Sequence, residues 1–260
     1  MQPDPDDLAL ALELADIADS ITLARYGAAD LEVATKPDLT PVTEADTAVE
    51  RAVRDRLATV RPEDSVLGEE YGDSGGGARR WIIDPIDGTL SYLRRLPFWA
   101  TLIALEVSKQ VVLGVVSAPA LHRRWWAARG RGAHLDEGLG RPPRPIHVSA
   151  VTELADAHLC LSAVTEWEAV GRRDAIIELE RRCWRTRGFG DLWSYMLVAE
   201  GNVDIGLDPK ASVWDLAAMQ VIVEEAGGRF SDLSGAPRLD GGNAVATNGL
   251  LHDAVLEIIG

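Results

Sequence analysis

Cysteine, basic residues and long apolar runs are all scarce in this chain, and each scarcity excludes something. The 260 residues include two cysteines, Cys160 and Cys183, too few for a disulfide framework. Neither has a Cys or His neighbour at zinc-binding spacing, so both read as reduced thiols of a cytoplasmic protein. Lys and Arg number 26 against 41 Asp and Glu, a formal charge of −15. That balance speaks against nucleic acid or an anionic membrane as partner, because both demand a basic face. No run of about 18 apolar residues occurs, so no segment is expected to span a membrane. The start, Met1-Gln2-Pro3-Asp4-Pro5-Asp6-Asp7, lacks the basic opening of a signal peptide. Internal repeats are missing too, and Gly72-Asp73-Ser74-Gly75-Gly76-Gly77 is the most linker-like stretch. The five histidines, His122, His134, His147, His158 and His252, follow no triad or metal spacing.

What is present is a 47% hydrophobic content, enough for a packed core. The length fits one large domain or two fused ones. Leu10, Leu14, Ile17 and Ile21 recur at helical spacing before Gly27. Leu31 to Thr35 alternates as a strand does. Thr43 opens a second helix, with Ala45, Val49, Ala52 and Val53 on one face and Pro62 beyond its end. Ser65-Val66-Leu67 and Trp81-Ile82-Ile83 read as short buried strands. Trp99–Leu105, Val111–Val116 and Arg124–Ala128 read as an antiparallel meander. Beyond a Gly-, Arg- and Pro-rich stretch at 138–146, strands alternate with helices. The strands are Ala157–Ser162, Val203–Leu207 and Asn243–Thr247; the helices are Gly171–Cys183, Asp191–Glu200, Ser212–Ala226 and Leu250–Ile259. The pattern predicts a mixed α/β protein made of an N-terminal α+β half, 1–140, and a C-terminal α/β half, 141–260, in one compact unit.

Three acidic clusters sit where a strand ends or a helix begins. They are Gly68-Glu69-Glu70, Asp84-Pro85-Ile86-Asp87-Gly88-Thr89 and Trp214-Asp215. Hard divalent cations prefer oxygen ligands, and carboxylates at strand ends are held rigidly. Pro85 fixes its own φ and lacks an N–H, so a sharp turn is expected after Asp84. That turn would set Asp84 and Asp87 on one side and free the Ile86 carbonyl. Gly88 permits close approach of backbone, and helix-start N–H groups there would favour an anion. Carboxylates for metal beside N–H groups for phosphate suggest metal-assisted phosphoryl chemistry. Each piece alone has a plainer reading. Asp84–Gly88 is also turn composition, Glu69-Glu70 a solvated loop, and Thr43-Glu44-Ala45-Asp46 and Ser212-Val213-Trp214-Asp215 are capping boxes.

Together with Glu225-Ala226-Gly227-Gly228, these segments resemble the inositol monophosphatase family over nearly the whole chain. The resemblance implies a layered αβαβα sandwich of the inositol monophosphatase/fructose-1,6-bisphosphatase type, a homodimer, and lithium-sensitive phosphatase activity with two or three Mg²⁺ ions. It implies Glu69, Asp84, the Ile86 carbonyl, Asp87 and Asp215 as metal ligands. Asp87, Gly88 and Thr89 would hold phosphate. Asp46 and Thr89 would orient the attacking water near Glu69, with no covalent intermediate. Lys36 matches a position on a loop that closes over the site.

Within the family, several segments are similar to actinobacterial histidinol-phosphate phosphatases. They include Lys36-Pro37-Asp38-Leu39-Thr40-Pro41-Val42, Arg123-Arg124-Trp125-Trp126 and Arg185-Thr186-Arg187-Gly188-Phe189-Gly190-Asp191. That likeness implies L-histidinol phosphate as substrate, with an inositol phosphate or another sugar phosphate as the alternative. Asp191, Asp208 and Arg187 are the expected substrate-binding residues. Histidinol phosphate carries an ammonium and an imidazole, which a carboxylate binds through a charge-assisted hydrogen bond. Asp191 also reads as a helix N-cap after Gly190. Asp208 stands where the family usually has Glu. Leu90-Ser91 departs from the family's polar residue and Asn after Asp-Gly-Thr, so a catalytically weak, metal-binding relative is a further expectation.

Overall fold

The computed structural model describes residues 4–37 and 39–260. The first three residues of the acidic start and Asp38 of the expected loop lie outside the described residues. In the first half the chain forms α1 (Pro5–Arg25), β1 (Val33–Thr35), β2 (Pro41–Thr43), α2 (Glu44–Val60), β3 (Ser65–Gly68), β4 (Gly72–Asp73), β5 (Arg79–Asp87) and α3 (Thr89–Leu93). The meander follows as β6 (Ala100–Val107), β7 (Gln110–Ala118), β8 (Arg123–Ala128), β9 (Ala133–Asp136) and β10 (Arg144–Ile146). The second half holds β11 (His158–Leu161), α4 (Val164–Ala169), α5 (Arg173–Arg182), β12 (Arg185–Arg187), α6 (Asp191–Ala199), β13 (Ile205–Asp208), α7 (Val213–Glu225), β14 (Arg229–Ser231), β15 (Ala244–Thr247) and α8 (His252–Ile259).

Eight strands pair in the order β10-β9-β8-β7-β6-β5-β3-β4, and five in the order β12-β11-β13-β15-β14. β1 and β2 form a separate two-stranded ribbon. Helices α1 and α2 cover one face of the large sheet, and α7 packs on the other beside α6. The five-stranded sheet lies beyond α6 and α7, with α5 and α8 packed together outside it. The layers therefore run αβαβα. Strand β5 shows why both faces of the large sheet need a cover. Trp81 and Ile83 enter the core under α1 and α2, whereas Ile82 enters the core under α6 and α7. Burial of each such aliphatic side chain contributes about 1.5–3 kcal/mol.

The large sheet continues to Ile146, at the end of the Gly-, Arg- and Pro-rich stretch 138–146. Several short elements carry no pattern that the sequence reading picks up. β12, for instance, is three residues long with Arg185 and Arg187 exposed, and so has no apolar alternation. The expected helix from Gly171 is α5, and Gly171 at φ 73° separates it from α4, which the sequence pattern does not show. Among the described residues no helix is long and apolar enough to cross a membrane.

Candidate active site

The expected sharp turn at Asp84-Pro85 is instead a bulge inside one continuous strand. β5 runs to Asp87, and its pairing with β6 slips between Asp84↔Leu102 and Asp87↔Ala100. Pro85 has no N–H to give the ladder. The Thr101 hydroxyl donates to the Pro85 carbonyl at 2.7 Å and holds the distortion. Such a bulge re-aims the side chains beside it. Asp84, Asp87 and Asp215 thereby offer carboxylate oxygens that all lie within 4.8 Å of one another.

Asp215 arrives from the start of α7, where its Oδ2 accepts the Ser212 N–H at 2.7 Å. Asp46 is placed in the same manner at the start of α2. Its Oδ2 accepts the Thr43 N–H at 2.8 Å and the Thr43 hydroxyl at 2.6 Å. Both capping boxes exist, and capping by one oxygen does not exclude a second role for these acids. The Oδ1 of Asp46 is buried and has no hydrogen-bond partner, an orphaned acceptor that a cation or a water would satisfy.

The electrostatics fit a cation site. Burial raises Asp84 well above the ordinary carboxylate range, and the charges of Glu69, Asp87, Asp215 and Asp46 push the same way. Asp87 is also raised well above that range, by burial and by Asp191 and Asp215. Burial pushes Asp46 up to about 6, with Glu69 adding to it, and pushes Asp215 up to about 6. Buried carboxylates crowded in this manner must take up protons or a metal ion. Glu69 and Glu70 are not a free solvated loop. The Lys36 ammonium bridges their Oε1 atoms at 2.7 Å each.

The Thr89 hydroxyl donates to the Ile86 carbonyl at 3.0 Å. Gly88 sits at φ 81°, and a Cβ there would lie 2.8 Å from the Phe98 carbonyl oxygen, so only glycine fits between β5 and α3.

A cavity of about 390 Å³ opens beside Asp87 and Asp215, and Asp191 and Asp208 line it as well. Asp191 is not the N-cap of α6. Gly190 holds that position, and Asp191 is the first helical residue at φ 47°. Burial and the Glu166 carboxylate push Asp191 up to about 6. Burial pushes Asp208 up to about 8, with Asp191 and Glu166 contributing. Arg187 is not brought to this cavity. It is exposed, and its guanidinium donates to the adjacent Thr186 carbonyl. Glu166, Phe189, Tyr195 and Lys210 line the cavity instead. Phe189 belongs to the Arg185–Asp191 segment, but no pattern in the sequence marks the other three, which come from α4, α6 and the connection between β13 and α7.

The family profile described as the inositol monophosphatase family matches residues 5–259. The chain belongs to the inositol monophosphatase family. It is 56% identical over 252 residues to the histidinol-phosphatase of Mycobacterium tuberculosis, with 96% of each chain covered. It is 53% identical over 255 residues to the histidinol-phosphatase of Streptomyces coelicolor, again with 96% of each covered. Among solved structures, the Thermotoga maritima IMPase matches with a TM-score of 0.85 at 31% identity, covering 98% of this chain and 96% of that one. The extragenic suppressor protein suhB of Bartonella henselae matches with a TM-score of 0.89 at 26% identity, covering 98% of both. As an inositol monophosphatase family member, the chain is a metal-dependent phosphoric monoester hydrolase. The crowded carboxylates around Asp84 have the chemistry that this dependence requires.

Proposed function

We propose that this enzyme hydrolyses L-histidinol phosphate to L-histidinol and phosphate, with Mg²⁺ as its cation. The observation that carries the reading is one cavity lined by two sets of carboxylates. Asp87 and Asp215 belong to the metal-type cluster, while Asp191 and Asp208 line the same cavity without belonging to that cluster. A substrate with a dianionic phosphate at one end and a cationic amine and imidazole at the other matches that division. The relatives at 53% and 56% identity are both named histidinol-phosphatases, which supports the same substrate.

In this reading Glu69, Asp84, Asp87, Asp215 and the Ile86 carbonyl hold two or three Mg²⁺ ions, an all-oxygen donor set suited to that cation. When bound, the ions neutralise the phosphoryl oxygens and acidify the attacking water. The backbone N–H groups of Gly88 and Thr89 bind the phosphate. Thr89 spends its proton on the Ile86 carbonyl, so its oxygen is left to accept from the attacking water. The orphaned Oδ1 of Asp46 accepts the second hydrogen of that water. The phosphoryl group passes directly to the water, and no side chain is phosphorylated. Asp191 and Asp208 bind the amine and the imidazolium. A homodimer, lithium sensitivity and a cytoplasmic location complete the proposal and rest on the family resemblance.

Phosphate release from a substrate panel, with and without Mg²⁺ and Li⁺, tests it. Histidinol phosphate should be the fastest substrate, only with Mg²⁺, and Li⁺ should inhibit. Equal or faster release from inositol 1-phosphate would move the assignment to a broader sugar-phosphate phosphatase. Absence of turnover with every ester would leave the weak, metal-binding relative suggested by Leu90-Ser91.

A further inference from the structure

Glu50 lies one helical turn after Asp46 on α2 and is completely buried. Its side chain lies under the Gly68–Gly72 turn that carries Glu69 and Glu70. Oε2 accepts the Glu70 N–H at 2.7 Å, and Oε1 accepts the Tyr71 N–H at 3.2 Å. The Arg54 Nε pairs with Oε1 at 2.8 Å. The same guanidinium donates to the Val66 carbonyl on β3 and to the Gly72 carbonyl on β4, clamping both sides of the turn. Gly68 completes the arrangement. A Cβ on it would fall 2.1 Å from Glu50 Oε1 and 2.2 Å from Cδ, so the carboxylate occupies the space of the missing side chain.

A buried ion pair adds little net stability, because desolvation offsets its attraction. What Glu50 delivers is position. The turn's other ties are the two-residue strand β4, the Lys36 bridge between the Glu69 and Glu70 carboxylates and Arg51 on the Tyr71 hydroxyl, whereas Glu50 takes the backbone N–H groups of Glu70 and Tyr71 themselves. The Glu69 N–H reaches the Ile83 carbonyl of β5 at a long 3.3 Å. We propose that Glu50 is a positioning residue: by gripping the turn, it sets where the Glu69 carboxylate stands relative to Asp84, and so the affinity of the site for its divalent cation. The proposal rests on the reading of Glu69 as a cation ligand.

The test is calorimetric Mg²⁺ binding to the metal-stripped, full-length protein, together with steady-state kinetics and thermal melting. Glu50→Gln keeps the shape but sets an N–H₂ against a backbone N–H. It should weaken Mg²⁺ binding about tenfold or more, the scale for partners that hold a metal ligand in place. The KM for histidinol phosphate at saturating Mg²⁺ should stay within about twofold, and the metal-free melting temperature within a few degrees. Arg54→Met should produce a smaller shift in the same direction. Mg²⁺ affinity within about twofold of wild type in folded Glu50→Gln overturns the proposal. If Glu50→Gln does not fold, Arg54→Met decides by the same criterion. Affinity losses that merely track a large drop in melting temperature overturn it as well. Glu69→Gln is the control: unchanged Mg²⁺ affinity there overturns the reading of Glu69 and the proposal with it, whereas a loss there with none in the Glu50 and Arg54 variants overturns the role of Glu50 alone.

Discussion

The Asp87 Oδ2 accepts a 2.7 Å hydrogen bond from the backbone N–H of Leu192, so a carboxylate at the end of β5 caps helix α6 from the other half of the chain. Gly190 at the N-cap position has no side chain to do this, and a carboxylate also suits the positive end of a helix. One oxygen of Asp87 is thus committed to the start of α6 while the residue belongs to the Asp84–Asp215 cluster.

Asp87→Asn should therefore fail twice. If Asp87 is a metal ligand, phosphate release should drop at least about a hundredfold, because a charged group of the site is lost. The start of α6 should loosen, since an amide is a weaker acceptor than a carboxylate. Turnover assays and hydrogen exchange at Leu192 and Trp193 check the two effects. Normal turnover would show that Asp87 is not part of the catalytic centre.

The metal-free protein should become less stable as pH rises from about 4 to about 8. Asp46, Asp191 and Asp215 are raised from 3.8 to about 6, and Asp208 from 3.8 to about 8. Across that window the folded state binds more protons than the unfolded chain, so unfolding becomes easier as protons are withdrawn. Melting curves in a chelator at pH 5 and pH 8 should show the lower midpoint at pH 8. Mg²⁺ should restore most of the difference. A metal-free protein that is more stable at pH 8 would contradict the crowding of these acids.

Asp191→Asn should discriminate between substrates. A hydrogen bond to a charged group is worth about 1.5–3 kcal/mol, or roughly a 10- to 100-fold effect. kcat/KM for histidinol phosphate should fall by that factor, and hydrolysis of inositol 1-phosphate should fall far less. Equal losses for both esters would assign Asp191 to the folding of α6 rather than to the amine.

Thr43→Val removes the hydroxyl that holds Asp46 at 2.6 Å and caps α2. Lost caps cost about 1 kcal/mol, so the melting temperature should fall by a few degrees. Turnover should fall more than stability alone explains, because Asp46 loses its fixed direction. A stability loss with full turnover would separate Asp46 from the attacking water.

Much of the site was legible along the chain because its rules are local. The capping boxes of Thr43 with Asp46 and Ser212 with Asp215 need only the geometry of one helical turn. The acids after β3 and within β5 stand out because they interrupt short apolar runs. Asp84-Pro85-Ile86-Asp87 misled only in form: composition cannot separate a turn from a bulge, and pairing with β6 made it a bulge.

The sequence by itself determined the mixed α/β class and the acidic clusters at strand ends and helix starts, which depend on residue type and short spacing, and its resemblance to the inositol monophosphatase family carried the layered fold. Tertiary structure alone decided which distant groups meet. It placed Asp87 on the N–H of Leu192, Glu50 in the space left by Gly68, and Glu166 rather than Arg187 near Asp191. These contacts join residues as far as 105 positions apart, where strand register and helix packing set the distance and no periodicity in the chain records it.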